Sequence, residues 1–327
     1  MLLSPMHAIA LPPAIQVLVH DWLSANTVVL FDDAESASVV DTGHLVRARS
    51  TCDGVRGALA GRRLRRIVNT HLHSDHCGGN AALQREHGGP QQCTIVVPAG
   101  ELQAVNDWDE SGLSFVQAGQ QAESFAAAAS YADGQELRLG GLRWQAHAAP
   151  GHDAHALMLF QPDSRLLITG DALWEYGFGV LFCEFDTGDG FAAQRRTLQR
   201  IAELQPALVV PGHGAVFDDV QAALRRARER LELFEREPRR HVAHALRVLL
   251  KFHLLEQGRM LRLPRVRQWF EGAELVTRIV RRLAPAQSVA AAFDSTLDDL
   301  CRAGAAVLRD GLVGDPEVDA AARAGTP

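Results

Sequence analysis

Within six positions, "HLHSDH" places His71, His73, Asp75 and His76 side by side. Imidazole nitrogens and carboxylate oxygens are the usual protein ligands of zinc-like divalent ions. In extended chain His71 and His73 point the same way, because side chains alternate. Asp75 and His76 lie past the turn and can face a second position. Three more residues of the same chemistry follow: His152 in "APGHDAH", Asp171 in "LLITGDALW" and His213 in "LVVPGHGAV". Taken singly, each has an ordinary explanation. A lone histidine is often a hydrogen-bonded loop residue, and an aspartate after glycine is often a turn or cap. Taken together they predict a metal centre, since each sits on a loop just after an apolar run.

Those runs are the elements that must position the ligands. "VVLFDD", "ASVVDTG", "LRRIVNT", "CTIVVP", "LRWQAHAAPG", "ALMLFQP", "RLLITGD" and "ALVVPGHG" each read as a strand. Gly or Pro closes several of them, where an exposed loop should begin. "GGNAALQREHGG" and "GFAAQRRTLQRIAELQP" have helical periodicity. Near-continuous apolar strands with helices between them predict an α/β fold, a sheet core under helical outer layers. From about residue 219 strand signals largely vanish, and the remainder reads as helices broken at Pro238, Pro264 and Pro285. The expected division is residues 1–218 for the metal-bearing part and 219–327 for a smaller helical one.

The ordered set "VVDTG", "HLHSDHCGG", "PGHDAH", "TGDAL" and "PGHG" resembles the metallo-β-lactamase-fold hydrolases. The resemblance implies an αββα sandwich of two mixed sheets with a two-metal site at one edge. By motif, His71, His73 and His152 would hold one metal, Asp75, His76 and His213 the other, and Asp171 would bridge them. Asp41 matches a residue that supports the site by hydrogen bonding. Asp75 could also orient a hydroxide or relay a proton. The implied chemistry is attack of a hydroxide, shared by two divalent ions, on an ester-type bond of a small molecule: a thioester, ester or lactone. Zn²⁺ is the expected metal, with Fe²⁺ or Mn²⁺ as alternatives.

Departures from subfamily patterns narrow the substrate. Dizinc β-lactamases of this fold lack a bridging Asp at the position of Asp171. Flavo-diiron relatives carry Glu where His73 stands. Lactonases commonly place Tyr where Trp174 stands, and Tyr176 is two residues further on. Glyoxalase II enzymes share all the ligands, but the segment "ALWEYGFGVLFCEFD" and their basic glutathione-binding residues find no match. That segment puts Trp174, Tyr176, Phe178 and Phe182 beside the expected metals, either as a substrate wall or as interface packing. His155, three residues past His152, is expected to orient a ligand or meet substrate. The C-terminal part faintly resembles the winged-helix-like extension of one group of lactamase-fold hydrolases, some of which cut single-stranded RNA. A metal-dependent ribonuclease or phosphodiesterase is therefore the alternative, and a non-catalytic metal-binding module a second.

Composition bounds these readings. The net charge is −6, yet residues 220–327 hold 19 Lys+Arg against 14 Asp+Glu. "RRARERLELFEREPRR" mixes signs at helical spacing, as a solvated face does. The acidic remainder, and the lack of a basic-aromatic stripe, disfavour a dedicated nucleic-acid binder. Five scattered cysteines without a CxxC read as reduced thiols of a cytoplasmic protein. The N-terminus lacks the basic segment of a signal peptide, and no run is long enough for a membrane helix. A small-molecule substrate is the expected partner; a homodimer stays open.

Overall fold

The computed structural model describes residues 10–113, 115–283 and 287–324. The N-terminal segment weighed above as a leader, and the break at Pro285, lie outside the described residues. Strands β1 (Ile15–Leu18), β2 (Thr27–Phe31), β3 (Ser36–Val40), β4 (Arg63–Val68), β5 (Thr94–Pro98) and β6 (Ala127–Tyr131) form one sheet in sequence order. Strands β7 (Glu136–Leu139), β8 (Leu142–Ala148), β9 (Leu157–Gln161), β10 (Leu166–Gly170) and β11 (Leu208–Pro211) form a second. Both are mixed. β3 to β6 run parallel after two antiparallel pairs, and β10 pairs parallel with β11 after an antiparallel series.

Side-chain alternation explains why the strands are apolar along their whole length. Val28, Leu30, Val40, Val68, Leu159 and Ile168 face the space between the sheets, around fully buried Trp144. Their neighbours Val29, Val39 and Ile67 turn outward, under α1 (Ala48–Leu59) and α3 (Asn80–Glu86), which follows the short α2 (Ser74–Cys77). That outer layer also holds α4 (Leu102–Asp107) and α5 (Phe115–Ala118). On the far side Met158, Leu167 and Val209 lie under α7 (Gly190–Leu204) and α8 (Val220–Arg236); α6 (Phe182–Asp186) precedes them. The αββα layering is as expected. Strands β1, β6 and β7 and helix α1 had no clear sequence signal.

α8 is capped by Asp219, whose side chain accepts from Ala222 N. It is followed by α9 (Pro238–Gln257), α10 (Leu263–Gly272), α11 (Glu274–Leu283), α12 (Val289–Arg302) and α13 (Pro316–Ala324). Pro238 and Pro264 occupy the first turns of α9 and α10, where a missing N–H costs nothing. Leu250, Phe270, Ile279 and Phe293 make a core for this region, which reaches back to Val180 and Phe185. It also contains a small antiparallel sheet of β12 (Leu261–Arg262), β14 (Leu312–Gly314) and β13 (Val307–Arg309). Those strands are two or three residues long, too short for an alternating pattern to register. α8 itself packs on the second sheet rather than in the C-terminal core. No described helix is long and apolar enough to cross a membrane.

Candidate metal centre

Because β8 and β10 are both antiparallel to β9, and β11 is parallel to β10, three strands of the second sheet share one direction. Their C-terminal ends release His152, Asp171 and His213; β3 and β4 of the first sheet release Asp41 and the 71–76 segment. A register irregularity between Ile168 and Gly170 re-aims the chain just before Asp171. The outcome is one cluster containing all seven expected ligands.

Three groups have ligand atoms within 4.8 Å of one another: His71, His73 and His152; His71, His76 and Asp171; Asp75, His76 and His213. Asp171 stands between the outer two. Its Oδ2 is 3.3 Å from His152 Nε2, while its Oδ1 is 3.2 Å from His76 Nε2 and 3.8 Å from His213 Nε2. Asp75 Oδ2 is 3.1 Å from His213 Nε2.

Hydrogen bonds behind the cluster set the imidazole tautomers. His76 Nδ1 donates to Asp41 Oδ2 at 2.8 Å. Thr70 Oγ1 also donates its proton to Asp41 Oδ2, at 2.8 Å, so it accepts from His71 Nδ1 at 3.1 Å. His152 Nδ1 donates to Val180 O at 2.6 Å. The Nε2 atoms of His71 and His152 are thereby left as bare lone pairs facing the cluster, and that of His76 faces it as well. His73 Nδ1 lies 3.1 Å from His71 Nε2 and 2.7 Å from His152 Nε2. One ring proton cannot satisfy three converging nitrogens, and buried His76 Nε2 has no hydrogen-bond partner. A divalent cation fits such a donor set.

The electrostatics agree. Burial, reinforced by the neighbouring imidazoles, pushes His71 well below the ordinary histidine range and His73 down to about 4, so both stay neutral. Burial opposes ionisation of Asp75 and Asp171, yet their histidine neighbours outweigh it and hold both carboxyls below the usual range. Burial likewise opposes charge on His76, but Asp41, Asp171 and Asp75 raise it well above its ordinary value. Ionised carboxylates beside the neutral rings of His71 and His73 attract cations, and a divalent ion would take the place of the proton that the carboxylates favour on His76.

Residues 20–213 match the family model described as the Metallo-beta-lactamase superfamily. The chain belongs to the metallo-beta-lactamase superfamily. Among curated relatives, hydroxyacylglutathione hydrolase of Methylococcus capsulatus is 29% identical over 188 residues, covering 54% of this chain and 62% of the relative. Its counterpart in Brucella anthropi is 28% identical over 201 residues, covering 62% and 58%. The chain thus spans about three-fifths of the length of these relatives. A Beta-lactamase domain protein from Burkholderia ambifaria shares the fold at TM-score 0.56 and 20% identity, over 93% of both chains. A metallo-beta-lactamase family protein from Thermus thermophilus does so at TM-score 0.53 and 18% identity, over 94% of this chain and 100% of the other. Both likenesses extend through the C-terminal helices.

In this superfamily member the cluster opens on a cavity of about 390 Å³, a volume suited to small molecules. Trp174 Nε1 donates to Asp171 Oδ1 at 3.2 Å, and its ring lies 5.3 Å from that of His213. Tyr176 is 71% exposed at the mouth, and exposed His155 stands at the rim against Gly100. Phe178 differs from its expected place beside substrate. It is buried in the outer core of the second sheet, against Phe234, and does not line the cavity; Phe182 does. The reason is alternation about Gly179, whose absent side chain lets the backbone pass His152 and Asp171. A Cβ there would lie 2.6 Å from His152 Nδ1. Gly78 and Gly79 are likewise close-approach glycines. Both are helical in backbone, and a Cβ on either would lie 2.2 Å from Leu45 N or 2.4 Å from Thr42 O.

Several cavity residues had no signal in the sequence. Asp153 comes within 3.9 Å of His73 Nε2, and Glu101 is buried with one carboxyl oxygen unpartnered. Trp22 lies beside His213, while Arg230, His244 and Phe252 come from the C-terminal helices. Only tertiary packing brings them here, because nothing in helical spacing distinguishes a cavity-facing position from a solvated one.

Proposed function

We propose that this chain is a dinuclear metal-dependent hydrolase acting on a small thioester, ester or lactone. The observation that carries the reading is the carboxylate of Asp171, set between two triads of histidine and aspartate side chains. His71, His73 and His152 would hold one divalent cation, Asp75, His76 and His213 the second, with Asp171 shared; Zn²⁺ suits the donors, as do Fe²⁺ and Mn²⁺. Bound there, such cations supply a water-derived nucleophile at neutral pH and polarise a substrate carbonyl.

The chain's own groups do the rest. Asp41, through Thr70 and His76, fixes which ring nitrogens face the site. Trp174 steadies Asp171 by its indole N–H. Asp75 turns Oδ2 toward His213 Nε2 and the proposed second cation site, so that Oδ1 would take the proton of the attacking water and pass it to the leaving group. Phe182, Leu113 and Phe252 line the cavity with apolar surface and exclude bulk water. The similarity to hydroxyacylglutathione hydrolases favours a thioester. Residues 1–218 would carry the chemistry and 219–327 would close the cavity. The five unpaired cysteines suit a reducing, cytoplasmic setting.

Asp171→Ala is expected to remove bound metal and to lower kcat/KM by about 10³-fold or more. Metal content by mass spectrometry and turnover of a panel of thioesters, lactones, phosphodiesters and single-stranded RNA check this. Full activity after chelation would exclude the mechanism. Cleavage confined to RNA would select the nuclease, and cleavage of nothing a metal-binding module.

A further inference from the structure

Arg230 is half-buried on α8. Its guanidinium carbon lies 5.5 Å from the ring centre of Phe178 and 5.4 Å from that of Phe234. Nη2 donates to His244 Nε2 at 2.7 Å, and Nη1 lies 3.4 Å from Tyr176 O. Among the described residues no carboxylate oxygen comes within 4.0 Å of it. Arg278, which lines the same cavity, differs in being paired with Asp186 and Glu274. His244 supplies no negative charge either. Burial, then the charge of Arg230, hold it near 3, so it is a neutral ring whose Nε2 is taken and whose remaining proton sits on Nδ1. A half-buried cation whose acceptors are one imidazole nitrogen and one carbonyl oxygen, with no negative charge beside it, is left for an anion to complete.

The position links this pair to the metal centre. Gly177 has φ +132°, and a Cβ there would lie 2.4 Å from Arg230 Nη1. Two residues on, a Cβ at Gly179 would lie 3.0 Å from Asp171 Oδ2. Chain geometry therefore limits the distance from guanidinium to Asp171 to roughly 16 Å, the reach of a small extended substrate.

We propose that Arg230 and His244 form a subsite for a carboxylate carried on the substrate remote from the bond that is cut. The planar guanidinium fork matches a planar carboxylate, and one unpaired positive charge balances one negative charge. Asp153 and Asp186 on the same cavity would repel a phosphate dianion more strongly. The subsite makes the preferred substrate an anionic acyl thioester or ester. It rests on the cavity being the substrate site.

The test uses full-length metal-loaded protein and non-cleavable probes. These are acetonyl thioethers of ω-mercaptoalkanoic acids of about three to nine carbons, a series that samples the available span, with the matching alcohols and phosphonates. Calorimetry is expected to find one length at which the acid binds about 10- to 100-fold more tightly than the alcohol. In Arg230→Met that preference falls to within about threefold, and Arg230→Lys keeps part of it. Equal binding of acid and alcohol at every length in the unaltered protein overturns the subsite, as does an undiminished preference in Arg230→Met or a stronger preference for phosphonate. Turnover of the corresponding thioesters separates the two readings. Acid preference without turnover keeps the subsite and removes the hydrolase; turnover without acid preference does the reverse.

Discussion

At Asp41 the backbone sits at φ +56°, a left-handed conformation that costs a non-glycine residue about 1–2 kcal/mol. The strain aims the carboxylate at three donors: Thr70 N at 2.9 Å, Thr70 Oγ1 at 2.8 Å and His76 Nδ1 at 2.8 Å. Oδ2 must accept from both Thr70 Oγ1 and His76 Nδ1 for His71 and His76 to turn Nε2 toward the cluster, while Oδ1 accepts from Thr70 N. Asn at this position offers one acceptor and one donor group. Asp41→Asn is therefore expected to weaken metal affinity about 10- to 100-fold while leaving the fold intact. Competition against a chelator measures the affinity, and circular dichroism the fold; unchanged affinity would remove Asp41 from the support of the site. "VVDTG" marked this residue in the sequence, but its partner Thr70 was not marked, since a threonine before a histidine is unremarkable until the loops meet.

Among the elements, α9 crosses from the C-terminal core to the ligand loops. Its Leu246, Leu249 and Leu250 pack in the core, and Phe252 meets both His44 and Trp22. Glu256, near the end of α9, has a side chain only 10% exposed, 3.6 Å from His44. Burial pushes this carboxyl up from 4.5 to about 7. A carboxyl raised in the folded state favours the native protein fully below about pH 4.5, and that contribution is lost as pH rises through about 7. Glu256→Gln has no such proton to lose. Relative to the variant, the unaltered chain should lose up to about 3 kcal/mol of stability between those limits. Denaturant unfolding of both proteins across the pH range checks it; parallel curves would place Glu256 in water. The sequence offered helical periodicity for α9 and nothing about which end would be buried.

Over the whole molecule the candidate ligands come from both sheets, and the cavity draws further residues from the C-terminal helices. Metal bound at such a junction ties together parts distant in the chain, and it binds the native state alone. At a thousandfold excess over Kd this adds about 4 kcal/mol. Loading with Zn²⁺ should accordingly raise Tm by about 5–15 °C, reversed by chelator. Calorimetric scans of the loaded and chelated protein decide it; identical Tm values would mean that the seven residues do not close on a metal.

The helix-covered sheet core and the seven-residue cluster were legible because each rests on local chemistry, whereas the αββα order of the layers was implied only by the family resemblance. Strands buried on both faces must be apolar throughout, and ligand loops need His or Asp beside a glycine-marked strand end. "HLHSDHCGG" carries four of the seven candidate ligands within nine residues. The cavity was not legible. Phe178 and Phe182 lie four residues apart in one aromatic run, yet one is core and the other cavity wall. Arg230 and His244 belong to helices whose spacing looks like an ordinary solvated face. Sequence alone determined which residues could hold a metal. Tertiary structure decided what surrounds it, because the wall is assembled from side chains far apart in the chain, and packing chooses which face each one turns inward.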